Sequence, residues 1–173
     1  MEQGYDAFVM RELAESLDIK LGNLQYYFST KEDIVLHVLE IEAESDRALI
    51  RESLESSELP EEAFRAVVAE LVSRWRGASG VLMSILGALS QHNERYQQLY
   101  RQIYASFYDA LEVLVAELNP DLPAPEIAVR VRLVTALVDG APMQVRVGNR
   151  RAFLARVQRE AEAIALRPAQ DTK

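Results

Sequence analysis

The chain has no cysteine, which removes disulfides, thiolate metal sites and cysteine nucleophiles at once. Histidine is nearly as scarce: His37 and His92 stand far apart, with no Glu-x-x-His spacing around either. A di-iron carboxylate bundle, the enzyme class that an all-α chain most often suggests, needs that spacing. The expectation is therefore no enzyme, with no catalytic residue, metal ligand or cofactor. Only seven glycines and six prolines interrupt 173 residues, 49% of them apolar, which suits a helical globule. No apolar run reaches the length of a membrane span, and the N-terminus does not read as a signal peptide. A soluble, cytoplasmic protein with no membrane partner is expected. Positive charge is also short. A net charge of −8 argues against a protein that coats nucleic acid by bulk electrostatics, so any DNA contact must use a local basic patch.

What is present is most informative between Val9 and Lys31, VMRELAESLDIKLGNLQYYFSTK. Leu13, Ala14 and Leu17 recur at helical spacing and form one apolar stripe. Asp18 sits where the chain must turn, Ile19 is expected to plug the corner, and a second stripe follows at Leu21, Leu24 and Phe28. A small residue in mid-helix, a turn soon after it and a large apolar residue in the next helix describe a helix-turn-helix. The small Ala14 lets the second helix approach closely, leaving that helix free to enter a major groove. DNA is thus the leading partner.

Beyond this head the pattern is helix after helix, with no convincing β-period. Thr30 before Lys31-Glu32-Asp33 reads as an N-cap with an acid at the third helical position, opening a helix expected to run towards Ile50. SLESSELPEE is a polar break, and Pro60 marks a new start. The division expected is 1–52 for the head and connecting helix and 53–173 for a ligand-binding and dimerisation body. Further helices are expected from about Glu61 to Arg76, ended by Gly77 and Gly80, and from about Val81 to Ser90. A long helix should start near Asn93 and stop at NPDLPAP. Two more occupy roughly Pro125 to Val138 and Arg150 to Leu166, joined by DGAPMQVRVGN, and the tail RPAQDTK should fray.

GYDAFVMRELAESLDIKLGNLQYYFSTKEDIVLHVLE resembles the tetracycline-repressor (TetR) family of one-component regulators, the run from Gly22 to Phe28 followed by Ser29-Thr30-Lys31-Glu32 being the strongest part. The close likeness covers about forty residues; the rest matches in helix number, spacing and the VDG segment of the penultimate helix. The resemblance implies an all-α homodimer whose two heads occupy successive major grooves of a palindromic double-stranded operator. It also implies a small organic inducer in each body that shifts the heads apart, so the expected function is a repressor released by that ligand. By position, Arg11 matches a base- or phosphate-contacting residue, and Leu21, Gly22, Asn23 and Gln25 the exposed start of the recognition helix. Gln25 suits adenine, and Gly22 permits close backbone approach. Tyr26, Tyr27 and Lys31 match DNA-touching positions, Tyr27 and Lys31 chiefly at phosphate, with cover for the head's core as the competing reading of Tyr26 and Tyr27.

Several positions depart from the family. Family members carry a basic helix ahead of this motif, where only MEQGYDAF stands here, so most of a first helix is expected to be lacking. Val9 and Lys20 occupy places where capping hydroxyls are common, though Lys20 offers a phosphate contact instead. Asp18 replaces a turn glycine, and tolerates the left-handed conformation better than most residues. The first thirty-nine residues hold seven acids (Glu2, Asp6, Glu12, Glu15, Asp18, Glu32, Asp33) against three bases (Arg11, Lys20, Lys31). That excess keeps a second reading open: the same helical dimer as a ligand-binding or interaction protein that has lost DNA binding.

In the body, Trp75, Met83, Tyr96, Tyr100, Tyr104 and Phe107 are candidates for the ligand pocket. Aromatic walls would suit an apolar, aromatic or cationic organic molecule, and the competing reading is ordinary core with tyrosine hydroxyls reaching the surface. Asp139-Gly140 reads as a small-residue point where two subunits approach. Ile127, Val131, Val134 and Val138 on one helix, with Phe153, Leu154, Val157, Ala161 and Ile164 on the last, are expected to form a four-helix dimer seam. The reasoning is that one small body cannot bury both stripes.

Overall fold

The computed structural model describes residues 9–144 and 150–167. The eight residues ahead of Val9, part of the expected loop before the last helix, and the tail after Arg167 lie outside them. Among the described residues eight helices follow in order: α1 Met10–Ser16, α2 Leu21–Tyr27, α3 Lys31–Ser56, α4 Pro60–Trp75, α5 Ala78–Leu89, α6 Glu94–Leu118, α7 Ala124–Gln144 and α8 Arg150–Ala165. Among the described residues there is no strand, and no helix is long and apolar enough to cross a membrane. The all-α reading holds.

The head is built on three buried side chains, Ala14, Leu24 and Ile34, with Met10, Leu13, Leu21 and Phe28 packed around them. Asp18 does adopt a left-handed turn, at φ 54°, and the Ile19 amide donates back to the Ala14 carbonyl at 3.0 Å. Two expectations fail at that corner. Leu17 is 55% and Ile19 39% exposed, because α1 ends at Ser16 and Leu17 falls past its last turn. Neither Val9 nor Lys20 caps its helix through a side chain.

The polar stretch breaks the helix ahead of Pro60 as expected, but only over residues 57–59 rather than soon after Ile50. It contains no proline or glycine until Pro60, so α3 runs on to Ser56 with Ser53 buried. Its start is secured by a capping box: the Asp33 amide donates to Thr30 Oγ1 at 3.1 Å, and the Thr30 amide to Asp33 Oδ2 at 2.9 Å. One continuous helix therefore contributes Ile34 to the head core, Leu39 and Ala43 to a middle cluster and Ile50 to the body core. That makes α3 the strut between head and body.

Gly77 breaks the helix as expected, but Gly80 lies inside α5. A Cβ there would stand 1.9 Å from the Trp75 carbonyl oxygen, so only glycine lets α5 pack under the end of α4. At the far end of the body, Arg130 is 2% exposed and ties three helices together. It donates to the Ala165 carbonyl at 3.0 Å and to Asn119 Oδ1 at 3.3 Å, with Glu126 beside it at 2.9 Å. α7 extends past the expected Val138 to Gln144 with Pro142 inside it; two residues before the helix end, its missing N–H forgoes a single backbone bond.

The dimer-seam expectation needs correction. Ile127, Val131, Val134, Val138, Leu154, Val157 and Ala161 are already buried within one chain, in a core shared with Phe64, Val67 and Leu71 of α4 and Leu111 and Leu114 of α6. The sequence argument omitted α4 and α6 as walls for these stripes. Of the nine residues, Phe153 is exposed and Ile164 half-buried. The apolar groups that α7 and α8 turn to water are Val129, Leu133 and Phe153.

Candidate DNA-facing surface and body cavity

On α2, burial is confined to Leu24, while Gly22, Asn23, Gln25, Tyr26 and Tyr27 face outward, flanked by exposed Arg11 and Lys20. Leu21 and Lys31 are half-buried. Tyr26 and Tyr27 are 82% and 77% exposed, with their rings edge-to-face at 5.1 Å. They do not cover the head's core. A Cβ on Gly22 would meet nothing within 4 Å, and glycine costs a helix about 1 kcal/mol relative to alanine. Among the described residues, nothing needs that glycine.

Two of the head's acids are directed away from this surface. Arg95, in the first turn of α6, donates to Asp33 Oδ1 at 2.8 Å and lies 3.1 Å from Glu32 Oε2. Asn93, the α6 N-cap, donates its amide to Glu32 Oε1 at 3.0 Å. Arg95, with the Thr30 contacts, holds the Asp33 carboxyl below its ordinary range. The head is thereby latched to the start of α6. Arg95→Ala should loosen that latch with little loss of global stability, since exposed ion pairs contribute about 0–1 kcal/mol. Hydrogen exchange should quicken across residues 21–40 and stay unchanged in α7. Equal protection of the head in both proteins would mean that its apolar contacts alone hold it.

Inside the body, four of the six expected pocket residues meet. Trp75, Met83, Tyr104 and Phe107 line a cavity of about 20 Å³ together with Ala43, Asp46 and Ile103. A second, of about 10 Å³, shares Trp75 and Phe107 and reaches Val138, Thr135 and Asp139. Each has room for about one water. Tyr96, 1% exposed, packs beside Leu39 and Leu86 instead, and Tyr100 stacks at 4.6 Å on Tyr104 without reaching either space.

The acids of this site were missed by sequence reasoning. Asp46 lies on the buried stripe of α3 between Ala43 and Ile50, and is 7% exposed; a carboxylate in that helical register was the available signal. Arg74 reaches it at 3.3 Å, yet burial outweighs that cation and raises its pKa. The Trp75 indole N–H lies near Asp46 and eases its charge but stops short of a full hydrogen bond. Asp139 turns inward rather than marking a simple small-residue contact. Tyr104 donates its hydroxyl to Asp139 Oδ2 at 2.8 Å. Burial pushes the Asp139 carboxyl up to about 7 against that bond, with the Asp46 charge adding to the rise. Burial and Asp139 also raise the Tyr104 hydroxyl far above its ordinary range.

Residues 1–38 match the family of bacterial regulatory proteins called tetR. Comparison with curated proteins gives no match. Among solved structures, a TetR transcriptional regulator from Legionella pneumophila superposes with a TM-score of 0.78 at 16% identity, over 92% of this chain and 87% of the other. The transcriptional regulator FadR from Bacillus subtilis, in complex with stearoyl-CoA, gives 0.75 at 15% identity over 98% and 92%. A putative transcriptional regulator from Saccharomonospora viridis, in complex with choline, gives 0.71 at 20% over 92% and 85%. At these identities the likeness concerns the fold alone, and the match to the tetR family of bacterial regulatory proteins is confined to residues 1–38, which hold the helix-turn-helix.

Proposed function

We propose that this chain is a homodimeric transcriptional repressor that reads a palindromic operator and is released by a small organic ligand. The observation that carries the reading is the outward face of α2. No described residue comes close enough to Gly22 to require a glycine there, and Tyr26 and Tyr27 hold their rings almost fully in solvent. Such a surface suits close backbone approach to a duplex, with Gln25 placed for a base edge and Lys31 and Tyr27 for phosphate. Diversion of Glu32 and Asp33 to Arg95 lowers the acidity that the head presents. Residues 1–52 would form the reading head and strut, and residues 53–173 the ligand-binding and dimerising body.

The strut supplies a route for release. Asp46 on α3 borders the cavity, twelve residues from Ile34 in the head core, or about 18 Å along a helix. A ligand that widens the cavity pushes on the same rigid element that carries the head. Solved structures of this fold in complex with choline and with stearoyl-CoA support an organic ligand.

The test is a gel shift on the gene's own upstream DNA. Lys31→Ala should weaken binding to all sequences and reduce the salt slope by about one. Gln25→Ala should relax preference at a single operator position, at a cost of about 1–3 kcal/mol. Equal loss on operator and random DNA would remove Gln25 from the base-reading set. No binding at low salt would favour the dimeric interaction protein, the reading to which the head's acid excess points.

A further inference from the structure

We propose that the ligand that releases this protein from DNA is an organic cation, an ammonium bearing apolar groups, whose charge is held by Asp139 with Asp46 while its body lies against Trp75, Tyr104 and Phe107. The proposal rests on the ligand-responsive reading above and narrows it to one class of chemistry.

Each of the two neighbouring cavities is bordered by one carboxylate, Asp139 on α7 in one and Asp46 on α3 in the other, with Trp75 and Phe107 common to both. Arg74 partners Asp46. The groups acting on Asp139 are Tyr104 and Asp46, with no basic side chain among them. Facing this pair are Tyr100, Tyr104 and Tyr108 from α6, Arg74 from α4 and Glu42 on α3. Arg132, on α7 itself, is spent over the Tyr108 ring at 5.4 Å. A neutral ligand would leave Asp139 as costly to ionise as it is now. An anion would meet two acids. Only a cation gains from both the carboxylates and the faces of three aromatic rings.

The space is small at present, so binding must displace a wall. Trp75 and Phe107 line both cavities, and Trp75 is the last residue of α4, next to the break at Gly77. Swinging the indole aside joins the two spaces and frees an N–H that now completes no hydrogen bond. Trp75 is also the single tryptophan of the chain, so its fluorescence reports the event directly.

The full chain should be titrated with benzyltrimethylammonium and, in parallel, with 2-methyl-1-phenyl-2-propanol, an uncharged molecule of nearly the same shape. The cation should change Trp75 emission and bind at least tenfold tighter than the alcohol. Because it selects ionised Asp139, its affinity should rise about tenfold from pH 6 to pH 8, while the alcohol's stays level. Asp139→Asn should abolish that rise and weaken the cation at least tenfold without weakening the alcohol. A cation that fails to bind, that binds no tighter than the alcohol, or whose affinity ignores pH in the wild type overturns the proposal without recourse to any variant. A gel shift in the same samples separates the two levels. Operator binding that persists while the cation fails refutes the cation alone, whereas absent operator binding refutes the repressor reading whatever the probes do.

Discussion

Arginine at Val157 should unfold the body, whereas arginine at Leu133 should leave it folded and split the dimer. Val157 is 2% exposed within a single chain and sits in the core formed by α4, α6, α7 and α8. A guanidinium there would be enclosed by the apolar side chains of that core. Leaving a buried charge uncompensated costs on the order of 3–5 kcal/mol, a large share of the roughly 5–15 kcal/mol that holds a domain together. Leu133 is different: it is 49% exposed, with Val129 at 51% one turn earlier on α7 and Phe153 at 37% on α8. In the isolated chain such a surface change should stay within about 0.5 kcal/mol. Between two copies it would bring like charges together across an apolar contact. Light scattering should give a dimer for the wild type and a folded monomer for Leu133→Arg, with helical circular dichroism retained and operator affinity lost. For Val157→Arg the helical signal itself should collapse. A stable wild-type monomer at micromolar concentration would remove the dimer and its two-headed reading of DNA. A folded Val157→Arg protein would contradict the core described for α7 and α8.

The contrast between those two residues shows where sequence reasoning stopped. Local features were legible because their partners lie within a turn or two. The Thr30–Asp33 capping box, the start of α6 near Asn93 and the turn at Asp18 all belong to this kind. Periodicity also found the stripes on α7 and α8. It could not say which neighbours would cover them, since that depends on α4 and α6 returning to the same place from far along the chain. The same blindness affected the site. Trp75, Met83, Tyr104 and Phe107 were recognised as large and suitably spaced, but Asp46 and Asp139 were not, because a lone acid in a helix is ordinarily solvated. The acid excess of the head looked uniform in sequence, and only the fold brings Arg95 to Glu32 and Asp33. What the sequence conveyed poorly was distance between helices, on which burial and charge both depend.

That burial gives Asp139 a second measurable consequence. In an unfolded chain an aspartate ionises near its ordinary value of 3.8, but in the folded body Asp139 holds its proton up to about 7. Between those two values the unfolded chain has released a proton that the folded one retains. The stabilisation is therefore complete below about pH 4, fades as pH rises towards 7, and is gone above it. The gap corresponds to a loss on the order of 4 kcal/mol, the cost of keeping a carboxylate in an apolar site with Tyr104 as its hydrogen-bond donor. Asparagine has nearly the same shape, still accepts from the Tyr104 hydroxyl, and carries no charge at any pH. Asp139→Asn should therefore match the wild type near pH 4 and exceed it progressively up to pH 8, where a thermal midpoint higher by roughly 10 °C is expected for a chain of this size. Asp33, lowered by Arg95, titrates in both proteins and cancels in the comparison, so the difference between the two melting curves reports residue 139 together with its coupling to Asp46. Denaturation at pH 4, 6 and 8 provides the measurement. A constant difference across that range would mean that Asp139 is ionised in the folded protein throughout, and a wild type more stable than the variant at pH 8 would mean that its charge is already balanced within the fold.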